Sequence, residues 1–162
     1  NDSLIPGDVA LMQGTGGVSI FGLQFAHAMG LETIITSSSD EKLAHAKKLG
    51  ATHTINYKTT PAWGVEARKL TNGRGADVIL EVGGAGTMQQ SMIAVRHSGH
   101  IAVIGVVAGF DDGGLGPQLA GMLIGNNARI QGLSVGSREM LEEMNRAITL
   151  HKIKPVVDRV YS

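Results

Sequence analysis

The chain has 162 residues, no cysteine, and 14 Lys and Arg balanced by 14 Asp and Glu. That length suits one domain able to bury roughly 70% of the surface its unfolded form exposes. The interspersed charges offer no basic stripe to a nucleic acid backbone, thiolate zinc sites and disulfides are excluded, and no apolar run approaches the roughly 20 residues of a membrane span.

Neither nucleic acid nor membrane is an expected partner. The polar start Asn1-Asp2-Ser3 is no signal peptide, and the expected setting is cytoplasmic, which the missing cysteines permit. Glycine is the compositional outlier, 23 of 162 residues, about twice the usual 7%. The glycines follow apolar runs rather than polar ones, at Gly14, Gly16, Gly17, Gly83, Gly84, Gly86, Gly105, Gly109 and Gly136. They mark strand ends, where an open α/β sheet places its ligand.

In chain order, the predicted elements are a strand over Val9–Gln13, a helix over Gly17–Met29, a strand over Thr33–Ser37, and a helix over Asp40–Leu49. That second helix opens with Ser38 and Glu41 in capping-box spacing and closes at Gly50. A strand over Thr54–Asn56, a helix over Gly64–Leu70, a strand over Asp77–Val82 and a helix over Thr87–Val95 follow. The chain continues with a strand over His100–Val106, a glycine-rich loop over Phe110–Pro117, a helix over Gln118–Ile124, a strand over Arg129–Val135 and a helix over Arg138–Leu150. Regular alternation with short connections implies right-handed crossovers. We expect a Rossmann-type α/β fold, doubly wound, with six parallel strands in the order 3-2-1-4-5-6 and helices on both faces.

The run from Val9 to Gly22 carries the chemistry. An apolar strand reaches Gly14-Thr15-Gly16-Gly17-Val18 and passes at once into an apolar helix. Glycines let the backbone turn tightly and approach a pyrophosphate, while the helix N-terminus offers N–H donors and a positive dipole end. Ser19 stands at the third glycine of G-x-G-x-x-G.

About twenty residues on, where an NAD site presents an acid to the ribose, the chain reads Ser37-Ser38-Ser39-Asp40-Glu41-Lys42. Hydroxyls and the Lys42 ammonium suit a 2′-phosphate that a carboxylate would repel, so NADP(H) is favoured over NAD(H). The alternative is that the serines only cap the helix and Lys42 is a solvated charge. Asp40 and Glu41 are read as lying along the helix N-terminus. Tyr57 is a candidate for the adenine or the 2′-phosphate, or a half-buried tyrosine at a strand end.

Several motifs together resemble the medium-chain dehydrogenase/reductase superfamily, which holds zinc alcohol dehydrogenases and quinone oxidoreductases. They are Pro6-Gly7-Asp8, the turn Gly14–Ser19, the helix Lys42–Ala51, the strand Asp77–Gly84 and the strand Ser98–Gly105. The resemblance implies cofactor contacts from Thr15, Gly16, Gly17, Val18, Ser37, Ser38, Lys42, Tyr57, Val82, Gly83, Val106, Ser134 and Val135. It also implies hydride transfer between nicotinamide and a carbonyl, alcohol or activated alkene. The family's GroES-like domain carries its catalytic zinc ligands, so no catalytic residue and no metal ligand is expected in this chain. The chain reads as the cofactor domain, 1–162, of a larger enzyme, inactive alone. Family members pair through the strand matching 129–135, and the resemblance implies a homodimer through it.

Other chemistry finds little support. His97-Ser98-Gly99-His100 reads as a surface turn rather than a metal site. The remaining histidines, His27, His45, His53 and His151, show no partner pattern. No Tyr-x-x-x-Lys pair or nucleophile elbow is present, and Leu119–Ile124 reads as packing against a dimer mate or a missing domain rather than as a binding groove. A dinucleotide-sensing module without catalysis, or an adenosylmethionine-dependent methyltransferase, are the alternative functions.

Overall fold

The computed structural model describes residues 3–109 and 116–160. Twelve elements alternate: β1 Val9–Gln13, α1 Gly17–Ala28, β2 Glu32–Ser37, α2 Asp40–Lys48, β3 His53–Asn56, α3 Trp63–Leu70, β4 Ala76–Glu81, α4 Ala85–Ala94, β5 Val95–Val103, α5 Gly116–Asn126, β6 Arg129–Gly132 and α6 Arg138–His151. The strands form one parallel six-stranded sheet in the order β3-β2-β1-β4-β5-β6. This is the Rossmann-type architecture that the alternation predicts. The chain reverses direction across the sheet between β1 and β4, and there the crevice for a ligand opens.

Alternate residues of each central strand serve opposite faces. Val9 and Leu11 of β1 join Ile34, Ile55, Ile79 and Ile101 in a core closed by Trp63 and Ala67 of α3, Met92 of α4, and Leu119, Met122 and Leu123 of α5. Ala10 and Met12 face the other way, onto Ile20 and Leu23 of α1 and Leu43 and Ala46 of α2. Both faces of β1 are therefore buried, which is why its sequence is apolar without alternation. Leu119, Met122 and Leu123 pack on the domain's own core, where the sequence reading has a dimer mate or another domain as their partner, and Ile124 is exposed.

Helix ends follow local chemistry. The α2 cap is Ser39, whose hydroxyl accepts from Lys42 N at 3.3 Å, and not the expected Ser38. Extended backbone persists through Ser39 (φ −132°, ψ 123°), which moves the start by one residue. The far end closes as predicted: Gly50 has φ +104°, and Gly50 N and Ala51 N reach back to Lys47 O and Ala46 O at 3.1 Å each, a Schellman arrangement.

β2, β3 and β4 lie within one residue of the sequence reading at each end, and the larger differences fall in β5 and β6. β5 starts at Val95, and His97-Ser98-Gly99 form an excursion inside it: Ala76 pairs with Val95 while Val78 pairs with His100, and Ser98 takes φ +59°. β5 ends at Val103, because Ile104 N and Gly105 N turn to Glu81 O at 2.8 and 3.3 Å. β6 ends at Gly132, so Ser134 and Val135 lie beyond the strand. Residues 110–115 of the predicted glycine-rich loop lie outside the described residues, and Gly116 already belongs to α5.

His53 does have a partner, Glu32 Oε1 at 2.7 Å from its Nε2, because β2 and β3 run side by side there. At the opposite sheet edge from the glycine turns, buried Asp77 accepts from Val9 N at 2.7 Å and pairs with Arg74 at 2.7 Å and with Arg96. Burial alone would push its carboxyl up; the Val9 N–H and the two guanidinium groups outweigh that and hold it below the usual range.

Candidate cofactor site

β1 delivers the chain to Gly14, which turns with φ +71° while Gly14 N donates to Thr36 Oγ1 at 3.4 Å. A Cβ added at Gly14, Gly16 or Gly17 would meet nothing within 4 Å. The protein's own atoms therefore do not require glycine at 16 and 17. The space above them is open, as a phosphate cradle needs. No side chain caps α1, and among the described residues the N–H groups of Gly16, Gly17 and Val18 have no protein acceptor. Thr15 is half-buried; Gly16, Gly17 and Val18 are exposed. Three donors at the positive end of a helix fit a pyrophosphate group.

The third position of the glycine pattern works differently. Ser19 is buried, and its hydroxyl donates to Gln13 O at 2.5 Å. The close helix–sheet approach falls instead at Gly22, where a Cβ would lie 2.6 Å from Leu80 Cδ1.

Ser37 ends β2, buried, with its hydroxyl accepting from Ser39 N at 3.3 Å. Ser38 is half-buried beside it, and Lys42 is exposed with no ion pair among the described residues. The structure also places Asp40 here, its Oδ1 accepting from Asn56 Nδ2 at 2.8 Å. Asp40 and Glu41 both lie in the first turn of α2, as read from the sequence, and the bond also ties the Asp40 carboxylate to the end of β3. Tyr57 N donates to Ser37 O at 3.0 Å, so Tyr57, 41% exposed, stands against the end of β2.

Val82 and Gly83 follow β4, Val106 follows β5, and Ser134 and Val135 follow β6. All the predicted site residues thus sit at one edge of the parallel sheet. The structure joins some of them: Val107 N donates to Val82 O at 3.1 Å and Ala108 N to Gly83 O at 2.8 Å. Ser134 and Val135 are exposed and connect only through Leu133 N, which donates to Val103 O at 2.8 Å.

Sequence reasoning missed the polar cluster beneath this edge. Glu81, fully buried at the end of β4, accepts on Oε1 from Gly83 N, Gly84 N and Thr87 Oγ1 at 3.0, 2.9 and 2.5 Å. Its Oε2 accepts from Gln13 Nε2 and Ser91 Oγ at 2.6 and 2.5 Å. Gln13 Oε1 in turn accepts from Val82 N and Gly83 N at 3.1 and 3.2 Å. The signal was available: an acid and an amide terminate the two central apolar strands, Val9–Gln13 and Ala76–Glu81.

Among the described residues no group of three or more His, Cys, Asp or Glu could hold a metal ion. No helix there is long and apolar enough to cross a membrane.

The geometry agrees with what the chain is similar to. A family model described as zinc-binding dehydrogenase matches residues 17–149. A zinc-type alcohol dehydrogenase-like protein of Schizosaccharomyces pombe is 50% identical over 159 residues, 96% of this chain and 45% of its own length. Among solved structures, an NAD-dependent alcohol dehydrogenase is 35% identical with a TM-score of 0.84, over 94% of this chain and 43% of its own. A quinone oxidoreductase of Pseudomonas syringae pv. Tomato DC3000 is 29% identical with a TM-score of 0.82, over 97% of this chain and 49% of its own. The chain thus spans a little under half the length of the relatives it matches, and the part it spans is their dinucleotide-binding fold. The chain belongs to the zinc-binding dehydrogenase family of the medium-chain dehydrogenase/reductase superfamily, as an NAD(P)-binding domain.

Proposed function

We propose that this domain holds NADP(H) for an oxidoreductase that moves hydride between nicotinamide and a carbonyl, alcohol or activated alkene. The observation that carries the cofactor part is the open, donor-lined cradle at Gly16, Gly17 and Val18. When bound, the nicotinamide supplies the hydride chemistry, and this chain's residues bind and orient it. Thr15 to Val18 take the pyrophosphate. Ser37, Ser38 and Lys42 take the ribose 2′-phosphate, with Tyr57 beside the adenine end. Val82, Gly83, Val106, Ser134 and Val135 line the nicotinamide end.

Preference for NADP(H) rests on the hydroxyls of Ser37–Ser39 and on Lys42, which has no ion pair among the described residues; the Asp40 carboxylate, held at the same end of the sheet by Asn56, is the feature that counts against it. Because the similar NAD-dependent alcohol dehydrogenase shares the fold, the test needs both cofactors. Fluorescence titration should give tighter binding of NADPH than of NADH, and tighter NADH would reverse the ribose-end assignment.

Catalytic acid–base or zinc groups belong, on this reading, to a GroES-like domain of the parent enzyme, and the domain alone turns over no alcohol. The apolar side of α6 supports a covering surface of that kind: none of its residues is buried, and Met140 and Leu141 are 60% and 51% exposed. β6 ends the sheet, which supports the proposal of self-association through its outer edge. Light scattering that shows only monomer at high concentration would remove it.

A further inference from the structure

The two glycine turns that flank the crevice divide their work. The turn after β1 leaves the N–H groups of Gly16, Gly17 and Val18 without a protein acceptor among the described residues. The turn after β4 uses all of its own internally: Val82 N and Gly83 N on Gln13 Oε1, Gly83 N and Gly84 N on Glu81 Oε1. Its carbonyls are engaged as well, by Val107 N and Ala108 N. Gly84 holds φ +82°, and a Cβ there would press within 3.0 Å of Val106 Cα.

The side chains responsible come from three elements: Gln13 from β1, Glu81 from β4, and Thr87 and Ser91 from α4. Gln13 can be satisfied in only one orientation, its amide nitrogen on the carboxylate and its oxygen on the two main-chain donors. Ser19 extends the chain of bonds to α1 through Gln13 O. A continuous polar path therefore runs from the first turn of α1 to the loop after β5.

We propose that Gln13 and Glu81 are positioning residues that set the nicotinamide-side turn relative to the phosphate turn, so that one dinucleotide can span both. The inference deepens the dinucleotide reading and rests on it. The adenosine half meets β2 and β3, on the far side of β1, and does not depend on this pair.

Exchanging the two groups tests it. Glu81→Gln turns an amide nitrogen toward the Gln13 amide nitrogen, whereas Gln13→Glu with Glu81→Gln restores every donor–acceptor match with the charge moved across. The full chain and these variants are titrated with NADPH and, separately, with 2′-phosphorylated adenosine monophosphate, alongside melting curves. Glu81→Gln should weaken NADPH by about tenfold, the equivalent of one buried charged hydrogen bond, and leave the adenosine fragment within about twofold. The double variant should recover most of the loss, as coupled neighbours do in a double-mutant cycle. Thr87→Val, which deletes one donor to Glu81 and keeps the shape, is the milder arm, with a loss of about threefold confined to NADPH. Parallel loss of both ligands, or unchanged NADPH affinity in Glu81→Gln and Thr87→Val, overturns the inference and leaves the cofactor reading standing. A wild-type chain that binds neither ligand overturns the reading beneath it.

Discussion

The Ser19 hydroxyl donates to the main-chain carbonyl of Gln13 at 2.5 Å, with Ser19 2% exposed, and so ties the first turn of α1 to the last residue of β1. A serine at the third glycine position is therefore a staple. Ser19→Ala should cost about 1 kcal/mol, the net value of one such bond. Gly22→Ala should cost about 1–3 kcal/mol by overpacking against Leu80, the Leu80 side chain giving way in part. Urea unfolding of both variants checks the order.

Glycine has two different meanings along the cradle. Gly14→Ala should destabilise by about 1–2 kcal/mol, because its backbone is left-handed. Gly16→Ala and Gly17→Ala meet no protein atom and should keep or slightly raise stability. They should nonetheless weaken dinucleotide binding by about tenfold or more, since the methyl group enters the ligand's space. Melting and titration on the same samples separate the two effects.

Asp77 makes a pH-dependent contribution. Its carboxyl is held below the usual range in the folded chain, against an unfolded value of about 3.9. The stabilisation is therefore complete above that value and is lost as pH falls through it toward the folded one. Asp77→Asn should cost about 2 kcal/mol at pH 7, the scale of hydrogen bonds to a charged group. The gap between wild type and variant in urea midpoints should close as pH falls below about 4.

At the ribose end, Lys42→Ala should weaken NADPH by about fivefold, the scale of one exposed charge-assisted contact, and leave NADH unchanged. Ser38→Asp should invert the preference by placing a carboxylate where the 2′-phosphate lies. Paired titrations with the two cofactors read both.

Much of this was legible because periodicity and glycine placement are local. The β1 boundaries, the Gly50 cap and the strand order follow from apolar runs and short connections. What escaped depends on neighbours far apart in sequence. Gln13 and Glu81 are separated by 68 positions, and each alone is an ordinary polar residue at a strand end. His53 and Glu32 likewise meet only because β2 and β3 pair. The β5 excursion at His97–Gly99 looked like a turn because locally it is one; only pairing on both sides with β4 makes it part of a strand.

The most direct test follows main-chain amide signals of the isotopically labelled chain by NMR while NADPH is added. The Gly16, Gly17 and Val18 amides, free of acceptors among the described residues, should move most. The Gly84 amide, bonded to Glu81 at 2.9 Å, should stay protected from hydrogen exchange throughout. Saturable shifts elsewhere, with Gly16 to Val18 unmoved, would contradict the account.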